Sequence, residues 1–326
     1  MKHSLRISGL AYSLRPVELK DAQFIIDTRL EDAQRNKFIH AISSDISLQV
    51  SWIEKYFARE NDYYFVVENN LTGKPEGLIG VYDIENGKGE WGRWVLQKGS
   101  MAAIESLDLL CQIAFEKLNM SEIYSHTIEN NIPVVSFHNS AKEKFRTILK
   151  DFFELNGKKY NAVEHYIDAD YYYSTLMYEF QKKAQMIFKR NMKQALGDFE
   201  FHHIGYACAN FEREISAFKM LGYRQKDSDF TDKTQGICGR FLIADNQPTL
   251  ELLKNSEDSH TLDYWLNNKV KMYHIAYTVK DFDKAIQYFL SHNAKIIKQP
   301  ELSTYFGKKI CFFVLPNLLM IELIED

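Results

Sequence analysis

An internal repeat constrains the C-terminal third of this chain more than any other sequence feature does. Residues 201–255 recur 71 positions further along, and apolar, glycine and charged residues all coincide. The aligned pairs are His203 and His274, Phe211 and Phe282, Ile215 and Ile286, Phe218 and Phe289, Gly236 and Gly307, Phe241 and Phe312, and Glu251 and Glu322. Each copy carries a strand pattern, a helix pattern (211–221 and 282–292) and then about three further strand patterns. The repeat therefore predicts two βαβββ modules.

Two histidines and two glutamates occupy equivalent places in the repeat. In each copy the glutamate follows the histidine by 48 residues. Two pseudo-symmetric modules place their first and last strands side by side, so we expect four side chains to converge on one point: His203, Glu251, His274 and Glu322. Nitrogen and oxygen ligands without thiolate suit one divalent ion of Zn, Ni, Co, Mn or Fe, and leave positions open for water or substrate oxygens.

The alternative is that both glutamates face outward from their strands and that both histidines are satisfied polar groups. Against it, Glu251 and Glu322 lie within the apolar runs 249–253 and 320–324, and a buried carboxylate needs a metal or another partner. His202 precedes His203 on a strand, where successive side chains point to opposite faces. We therefore interpret His202 as a surface residue and not as a ligand.

The region 199–326 resembles the vicinal-oxygen-chelate superfamily, which includes glyoxalase I and methylmalonyl-CoA epimerase. Segments 272–277 and 321–325 are most similar to the epimerase branch. The resemblance implies an epimerase, isomerase or lyase reaction in which a metal polarises a carbonyl or enediolate, with Glu322 catalytic as well as ligating. In one respect the chain departs from the family: Thr234 precedes Gln235-Gly236-Ile237, where the epimerases carry an acidic base.

The bulk properties are those of an ordinary globular protein of two domains. The chain has 326 residues, 45% apolar content and a formal charge of -4, without the basic excess that nucleic acid binding selects. Four cysteines are scattered without a close pair, which indicates a reducing cytoplasm: Cys111, Cys208, Cys238 and Cys311. No apolar run is long enough for an export signal or a membrane span.

Strand and helix patterns alternate through about residue 167, which favours a mixed α/β or α+β domain in the first half. The runs 64–67 and 77–82 flank turn-forming residues and predict a hairpin. Residues 170–196 then show apolar positions at helical spacing, followed by Gly197. We interpret the chain as a domain at 1–168, a linker helix at 169–197 and the repeat domain at 198–326, an α+β two-domain protein.

The stretch 91–100 leads from a strand into a Gly99-Ser100 turn, and a helix pattern at 101–118 follows with Ser100 as its N-cap. Such a turn before a helix N-terminus forms a pocket for pyrophosphate, although many of these turns are plain caps. A second strand at 122–127 is followed by Asn131 and, seven residues later, by His138.

This order resembles the GNAT acetyltransferases over residues 12–167, and 91–106 is most similar to the branch that acts on amino sugars of bacterial surface polysaccharides. The resemblance implies a mixed sheet with flanking helices and a CoA thioester donor, acetyl-CoA or another acyl-CoA. It assigns donor contacts to Leu96, Lys98, Gly99, Ser100, Met101, Ala102 and Asn131. The usual glycine-rich loop is reduced here to the single Gly99.

His138 replaces the tyrosine that protonates the leaving thiolate in that family. Histidine suits an acid role because it exchanges protons near neutral pH, but His138 could equally be a substrate contact or a surface residue. A general base for the acceptor amine should be a carboxylate near the central strands. Glu90 is preferred and Asp83 is the alternative, and either could be a solvated acid at a strand end.

The leading hypothesis is a bifunctional enzyme that acylates a nucleotide-linked amino sugar for surface polysaccharide and also rearranges a carbonyl compound, such as an acyl-CoA, at the metal. One rival is a binding protein with a degenerate CoA sensor. Another is an acyltransferase whose second domain is structural or dimerising. A homodimer is expected, because vicinal-oxygen-chelate domains often pair.

Overall fold

The protein is described by a computed structural model of residues 2–326, and it divides into two compact units between Asn191 and Met192. The domain limits predicted from the sequence, 168 and 197, lie on either side of this division. Both units combine strands and helices, so the α+β class is confirmed. Within residues 2–326, no helix is both long enough and apolar enough to cross a membrane.

The first unit contains eight strands: β1 (Ile7–Ser8), β2 (Tyr12–Pro16), β3 (Tyr63–Asn69), β4 (Pro75–Glu85), β5 (Lys88–Leu96), β6 (Glu122–Ile128), β7 (Lys144–Leu155) and β8 (Lys158–Asp168). Its helices are α1 (Ala22–Leu30), α2 (Ile46–Phe57), α3 (Ala103–Gln112), α4 (Ile132–Ser140), α5 (Ala169–Tyr171) and the start of α6 (Met177–Leu196). Short irregular turns complete it, a 3-10 turn at Leu19–Asp21 and π turns at Ile113–Lys117 and Tyr172–Leu176.

These eight strands form one mixed sheet in the order β1-β2-β3-β4-β5-β6-β8-β7. The predicted hairpin is confirmed as β3 and β4, which pair antiparallel. Strand alternation sends Phe65 and Val67 into one core and Tyr64 and Val66 into another, so helices cover both faces. Burial of apolar side chains on each face stabilises the sheet.

Helix α3 differs from the sequence prediction at its start. It begins at Ala103 with Ala102 as the N-cap residue, whereas Ser100 had been assigned that position. The hydroxyl of Ser100 instead accepts a hydrogen bond from the Ala102 amide at 3.3 Å. The turn before the helix is therefore closed by a local side-chain contact of the kind that serine makes in loops.

The second unit, Met192–Asp326, contains the two repeated modules. The first comprises β9 (Phe199–Ala207), α7 (Phe211–Lys219), β10 (Arg224–Gln225), β11 (Phe230–Asp232), β12 (Ile237–Ile243) and β13 (Leu250–Asn255). After α8 (Asp263–Asn267), the second comprises β14 (Met272–Val279), α9 (Phe282–Ser291), β15 (Lys295–Leu302), β16 (Lys309–Val314) and β17 (Met320–Glu325). The predicted duplication of a βαβββ unit is confirmed, with an additional short strand in the first copy.

The four central strands of the second sheet run in the order β13-β9-β14-β17. β9 and β13 are the first and last strands of the first module, and β14 and β17 are the first and last strands of the second. Alternation along β13 turns Leu250 and Leu252 towards the core beneath α7 and leaves Glu251 on the opposite face. In β17, Ile321 and Leu323 likewise pack in the core with α9. One face of the sheet is thus covered by helices, and the other carries the glutamates.

A buried aspartate joins the two modules. Asp232 is fully buried, and its Oδ1 atom accepts hydrogen bonds from the amides of Thr234 and Gln235, both at 3.0 Å. Its Oδ2 atom accepts from the Ser303 hydroxyl at 2.9 Å and from the Thr304 amide at 3.1 Å. Burial opposes ionisation, but these hydrogen bonds hold the pKa of Asp232 below its usual value. Asp232 and Ser303 occupy equivalent places in the repeat.

We expect Asp232→Ala to lower the free energy of unfolding of the second unit by about 2–4 kcal/mol, because buried donors in both modules lose a charged acceptor. Urea denaturation at pH 7 measures this change. Asp245→Ala, at an exposed position, is the control and should stay within about 0.5 kcal/mol of the wild type. An equally small effect at Asp232 would contradict the role given to this residue.

Candidate active site and metal centre

A cleft opens in the first unit where two parallel strands separate. β5 and β6 pair only at Lys88 with Glu122, Gly89 with Ile123 and Glu90 with Tyr124, and then diverge. Opposite β4, the register of β5 shifts between Gly92 and Val95, and Arg93 adopts a φ of 48°. The shift is a β-bulge, which bends a strand and interrupts its pairing. Both features leave the ends of β5 and β6 apart.

Two cavities lie in this cleft and share part of their walls. One has a volume of about 260 Å³ and includes Glu90, Thr127 and His138 in its lining. The other has a volume of about 510 Å³ and includes Leu96, Ser100 and Ala103. Six residues line both cavities: Phe38, Ile39, Trp94, Val95, Asn131 and Val134. We call the smaller one the acceptor cavity and the larger one the donor cavity, after the roles predicted from the sequence for Glu90 and for Leu96 and Ser100.

Glu90 lines the acceptor cavity at the last position where β5 pairs with β6. The Tyr82 hydroxyl donates to its Oε1 at 3.2 Å, and His126 Nδ1 lies 3.1 Å from its Oε2. Burial lowers the pKa of His126, but Glu90 and Glu164 outweigh it and raise that pKa above its usual value. Asp83, the alternative base, is not among the described residues that line this cavity.

His138 is buried beneath the acceptor cavity, with 1% of its surface exposed. Its Nδ1 atom lies 2.8 Å from Glu143 Oε1, and its Nε2 atom lies 3.1 Å from Thr127 Oγ1. The imidazole stacks on His165 with ring centres 4.8 Å apart, and the Trp91 ring is 5.2 Å away. The structure therefore excludes the surface position considered for His138.

The predicted donor-binding residues are distributed unevenly. Leu96, Ser100 and Asn131 line the donor cavity. In the turn at 97–102, the amide of Lys98 donates to Glu31 Oε2, and the amide of Met101 donates to the hydroxyl oxygen of Tyr12 at 3.3 Å. Gly99 has a φ of 86°, a conformation that favours glycine. Part of the turn's donor capacity is thus used within the protein.

Four side chains converge on the helix-free face of the second sheet, as the repeat predicted. One potential ligand atom from each lies within 4.8 Å of the others. His203 Nε2 is 3.0 Å from His274 Nε2 and 3.0 Å from Glu251 Oε2, and His274 Nε2 is 3.3 Å from Glu322 Oε2. We call this group the His/Glu cluster: His203, Glu251, His274 and Glu322.

The separations in the His/Glu cluster fit a shared metal ion. Ligand atoms about 2.0–2.2 Å from one ion lie about 3–4 Å from each other. All four residues are buried, and Glu322 Oε2 accepts no hydrogen bond. Burial raises the pKa of Glu322 to about 8 and lowers the pKa of His274 to about 4, so the charged form of each group is disfavoured there. A dication would offset the burial of two carboxylates.

Small residues make room for the cluster. The strand register places Gly205 between Glu251 and His274, and places Ala276 between His203 and Glu322. Gly205 and Ala276 are equivalent in the repeat. A Cβ atom on Gly205 would lie 2.2–2.7 Å from three atoms of the His274 ring. Residue 205 must therefore be glycine for the ring to keep this position.

His202 takes part in the site, contrary to the prediction that it is a surface residue. It is half-buried, and its Nδ1 atom lies 2.7 Å from Nδ1 of His203. Burial lowers the pKa of His202 to about 4, so it is neutral and can accept the Nδ1 proton of His203. This contact fixes the tautomer of His203 so that Nε2 faces the cluster.

Two family models match the chain. Residues 12–141 match the acetyltransferase (GNAT) domain, and residues 202–312 match the glyoxalase/bleomycin resistance protein/dioxygenase superfamily. The chain carries a GNAT acetyltransferase domain and a glyoxalase-superfamily domain. Both resemblances drawn from the sequence are confirmed. The cleft with its two cavities belongs to the acetyltransferase domain, and the His/Glu cluster belongs to the glyoxalase-like domain.

Solved structures with a similar fold cover about half of the chain. A GCN5-related N-acetyltransferase from Brucella melitensis matches with a TM-score of 0.50 and 18% identity, over 55% of this chain and 85% of that chain. A mutant form of the spermidine/spermine N-acetyltransferase from Vibrio cholerae matches with a TM-score of 0.44 and 19% identity, over 51% and 98%. The likeness to the Brucella protein shows the fold alone. No curated protein matches the chain.

Sequence reasoning missed three polar partners in the acetyltransferase domain. His126 and Thr127 lie on β6, and Glu143 lies in the turn after α4. A signal was present in β6, because Ser125-His126-Thr127 is an unusually polar run for a central strand. Glu143 gave no comparable signal, since its contact with His138 depends on how the turn folds back.

We expect Gly205→Ala to displace the His274 ring and to lower the affinity of the His/Glu cluster for a divalent ion by about tenfold or more. Titration with Zn²⁺ or Ni²⁺ against a competing chelator measures this affinity. Tyr206→Phe is the matched control, because Tyr206 packs on Phe218 on the opposite face of the strand. Unchanged affinity in Gly205→Ala would show that the ring does not need this space.

Proposed function

We propose that the acetyltransferase domain transfers an acyl group from CoA to a primary amine. The observation that carries the proposal is the pair of cavities that meet at Trp94, Val95, Asn131 and Val134, with a carboxylate on one side. The donor cavity also reaches Arg35 and Lys37, whose positive charges suit the phosphates of CoA. A thioester in one cavity and an amine in the other would meet at the shared wall.

Glu90 is the proposed general base. The acceptor amine must lose a proton before its lone pair can attack the thioester carbon. Two glutamates line the acceptor cavity, and Glu90 is the partly buried one, whereas Glu154 is exposed. Tyr82 and His126 hold both oxygens of Glu90 in place. Glu164 lies 3.7 Å from His126 Nε2, and its negative charge stabilises a positive charge on the His126 ring. The proton taken from the amine can therefore be shared along Glu90 and His126.

The acceptor class that we propose is a nucleotide-linked amino sugar. The lining of the acceptor cavity combines Glu90 with Arg29 and Arg93 and with the aromatic side chains of Phe38 and Trp91. The Nε atom of Arg29 is buried without a hydrogen-bond partner. This mixture suits a ligand with an amine, an anionic group and a ring face. A clear preference for a polyamine over amino sugars in a substrate panel would contradict the proposed class.

We expect Glu90→Gln to lower kcat about 10²- to 10³-fold, because the amide keeps the size of the side chain but cannot accept the proton. Release of the free CoA thiol from acetyl-CoA, with a panel of amino sugars as acceptors, measures the rate. Asp83→Asn is the control and should remain within about twofold of the wild type. Full activity in Glu90→Gln would place the base elsewhere, and absence of CoA release from the wild type with any amine would exclude the acyltransferase.

We propose in addition that the His/Glu cluster binds one divalent ion, of Zn, Ni, Co, Mn or Fe. The close approach of two imidazoles and two carboxylates in a buried site supports this proposal. A bound ion supplies a Lewis acid for a carbonyl or enediolate oxygen, as in an epimerase, isomerase or lyase. Glu322 is also the proposed acceptor of a carbon-bound proton, the role that the resemblance to the vicinal-oxygen-chelate superfamily implies.

We expect about one equivalent of divalent metal in the purified wild type and almost none in the double variant His274→Ala, Glu322→Ala. Plasma mass spectrometry measures the content. Glu325→Ala is the matched control, because Glu325 lies on the same strand but pairs with Lys309 away from the cluster. A wild type that binds no metal after reconstitution would exclude a metal centre in this domain.

The burial of the whole cluster favours a second candidate, a glyoxalase-like domain that binds a metal or ligand without turnover. None of the four residues exposes more than 4% of its surface, and Asp232, the acid nearest in sequence to Thr234, already accepts five hydrogen bonds. Metal-dependent exchange of deuterium into the carbon beside an acyl-CoA carbonyl separates the two candidates. Exchange supports turnover, and its absence in the metal-loaded protein supports binding without turnover.

The homodimer and the cytoplasmic location remain predictions.

A further inference from the structure

Three side chains form a continuous hydrogen-bonded chain beside the acceptor cavity. Thr127 comes from β6, His138 from α4 and Glu143 from the turn that follows α4. Thr127 Oγ1 lies 3.1 Å from His138 Nε2, and His138 Nδ1 lies 2.8 Å from Glu143 Oε1. A hydroxyl, an imidazole and a carboxylate joined in this order can move a proton along the chain.

His138 lines the acceptor cavity, but its ring nitrogens can exchange a proton with a substrate only through Thr127. Both of its ring nitrogens are engaged, and its faces are covered by His165 and Trp91. Burial and the charge of His138 lower the pKa of His165 to about 4, so His165 stays neutral. Thr127 lines the acceptor cavity together with Asn131 and Val134, which also line the donor cavity. Thr127 is also the more exposed of the two, with 7% of its surface accessible against 1% for His138.

We propose that Thr127 delivers the proton to the departing CoA thiolate, as the last member of a relay from His138 that Glu143 holds in position. The inference rests on the proposed acyltransferase function and assigns the acid that this reaction requires. Thr127 is the catalytic residue of the relay, because it faces the reacting atoms. His138 and Glu143 act through it.

The proton transfers balance with the bond changes. The amine nitrogen forms a bond to the thioester carbon, and the carbon–sulfur bond breaks with its electron pair on sulfur. Sulfur takes the proton of the Thr127 hydroxyl, while Thr127 Oγ1 takes the proton on His138 Nε2. The imidazole ends neutral, with its other proton on Nδ1 beside Glu143. Glu90 passes the first proton of the ammonium group to solvent before the attack, and it takes the second proton from nitrogen as the amide forms. Exchange with solvent then resets Glu90 and His138.

Glu143 makes a positively charged imidazole tolerable in this place. Its side chain has no exposed surface, and its Oε2 atom has no hydrogen-bond partner. A buried carboxylate without other partners favours a cation beside it. When His138 carries both protons, Nε2–H donates to Thr127 Oγ1 and leaves the threonine hydroxyl hydrogen free to point into the cavity. When His138 is neutral, that hydrogen points back to Nε2.

The test compares two acyl donors in the full-length protein. The leaving group of acetyl-CoA is an alkyl thiolate that needs a proton. The leaving group of the S-acetyl ester of 4-nitrothiophenol is an aryl thiolate that does not. We expect Thr127→Val to reduce kcat with acetyl-CoA about 10²-fold and to stay within about threefold of the wild type with the aryl ester. Thr127→Ser retains the hydroxyl and should keep most of the activity with both donors.

Each other outcome bears on the relay. An equal loss with both donors indicates a structural role for Thr127 and overturns the proposal, as does full activity of Thr127→Val or an acetyl group found on Thr127 by mass spectrometry. If Thr127→Val does not fold, the proton inventory of the wild type in mixtures of H₂O and D₂O decides, because two protons in transit give a curved plot and a straight line overturns the relay. A wild type that acylates no amine contradicts the acyltransferase itself, not the relay alone.

Discussion

The burial of ionisable groups is the constraint on which both candidate sites depend. A carboxylate or imidazole withdrawn from water loses its hydration, and the loss must be offset by a partner or by a change of protonation. In the acetyltransferase domain, Glu90 and Glu143 each face a histidine. In the glyoxalase-like domain, two glutamates and two histidines face each other, and no protonation state satisfies all four as well as a shared cation would. The chemistry proposed for both domains is located where the fold imposes this cost.

The sequence predicted the glyoxalase-like site more completely than the acetyltransferase site, and the reason is physical. Each copy of the repeat contains one histidine and one glutamate of the site, so His203 and Glu251 have the same separation in sequence as His274 and Glu322. Strand alternation and module symmetry then determine where these side chains point. The one wrong interpretation, the surface position of His202, followed from alternation alone, which gives the direction of a side chain but not how far its ring bends back to a neighbour.

The acetyltransferase site has no such redundancy. The positions of Asn131 and His138 could be predicted because they share one helix and its N-terminus, where spacing is fixed. The partners of His138 come from a strand and a turn, and no pattern in the sequence relates Thr127 to Glu143. Similarly, Ser100 was predicted to cap the following helix. The hydroxyl of Ser100 closes the preceding turn instead, and the helix begins later, at Ala103. Local sequence patterns cannot predict contacts that form only when distant elements pack together.

The shared row of Glu251, Gly205 and His274 has a consequence for how the second unit forms. Two of these residues belong to the first module and one to the second, so neither module contains a complete site. During synthesis, the strands that carry His203 and Glu251 emerge first, and β14 and β17 must add beside them before the fourth ligand is in place. Until then the first module has an open sheet edge and only half of the His/Glu cluster, His203 with Glu251. Completion of the His/Glu cluster thus coincides with closure of the sheet, and if the cluster binds an ion as proposed, that ion would favour correct pairing of the two modules.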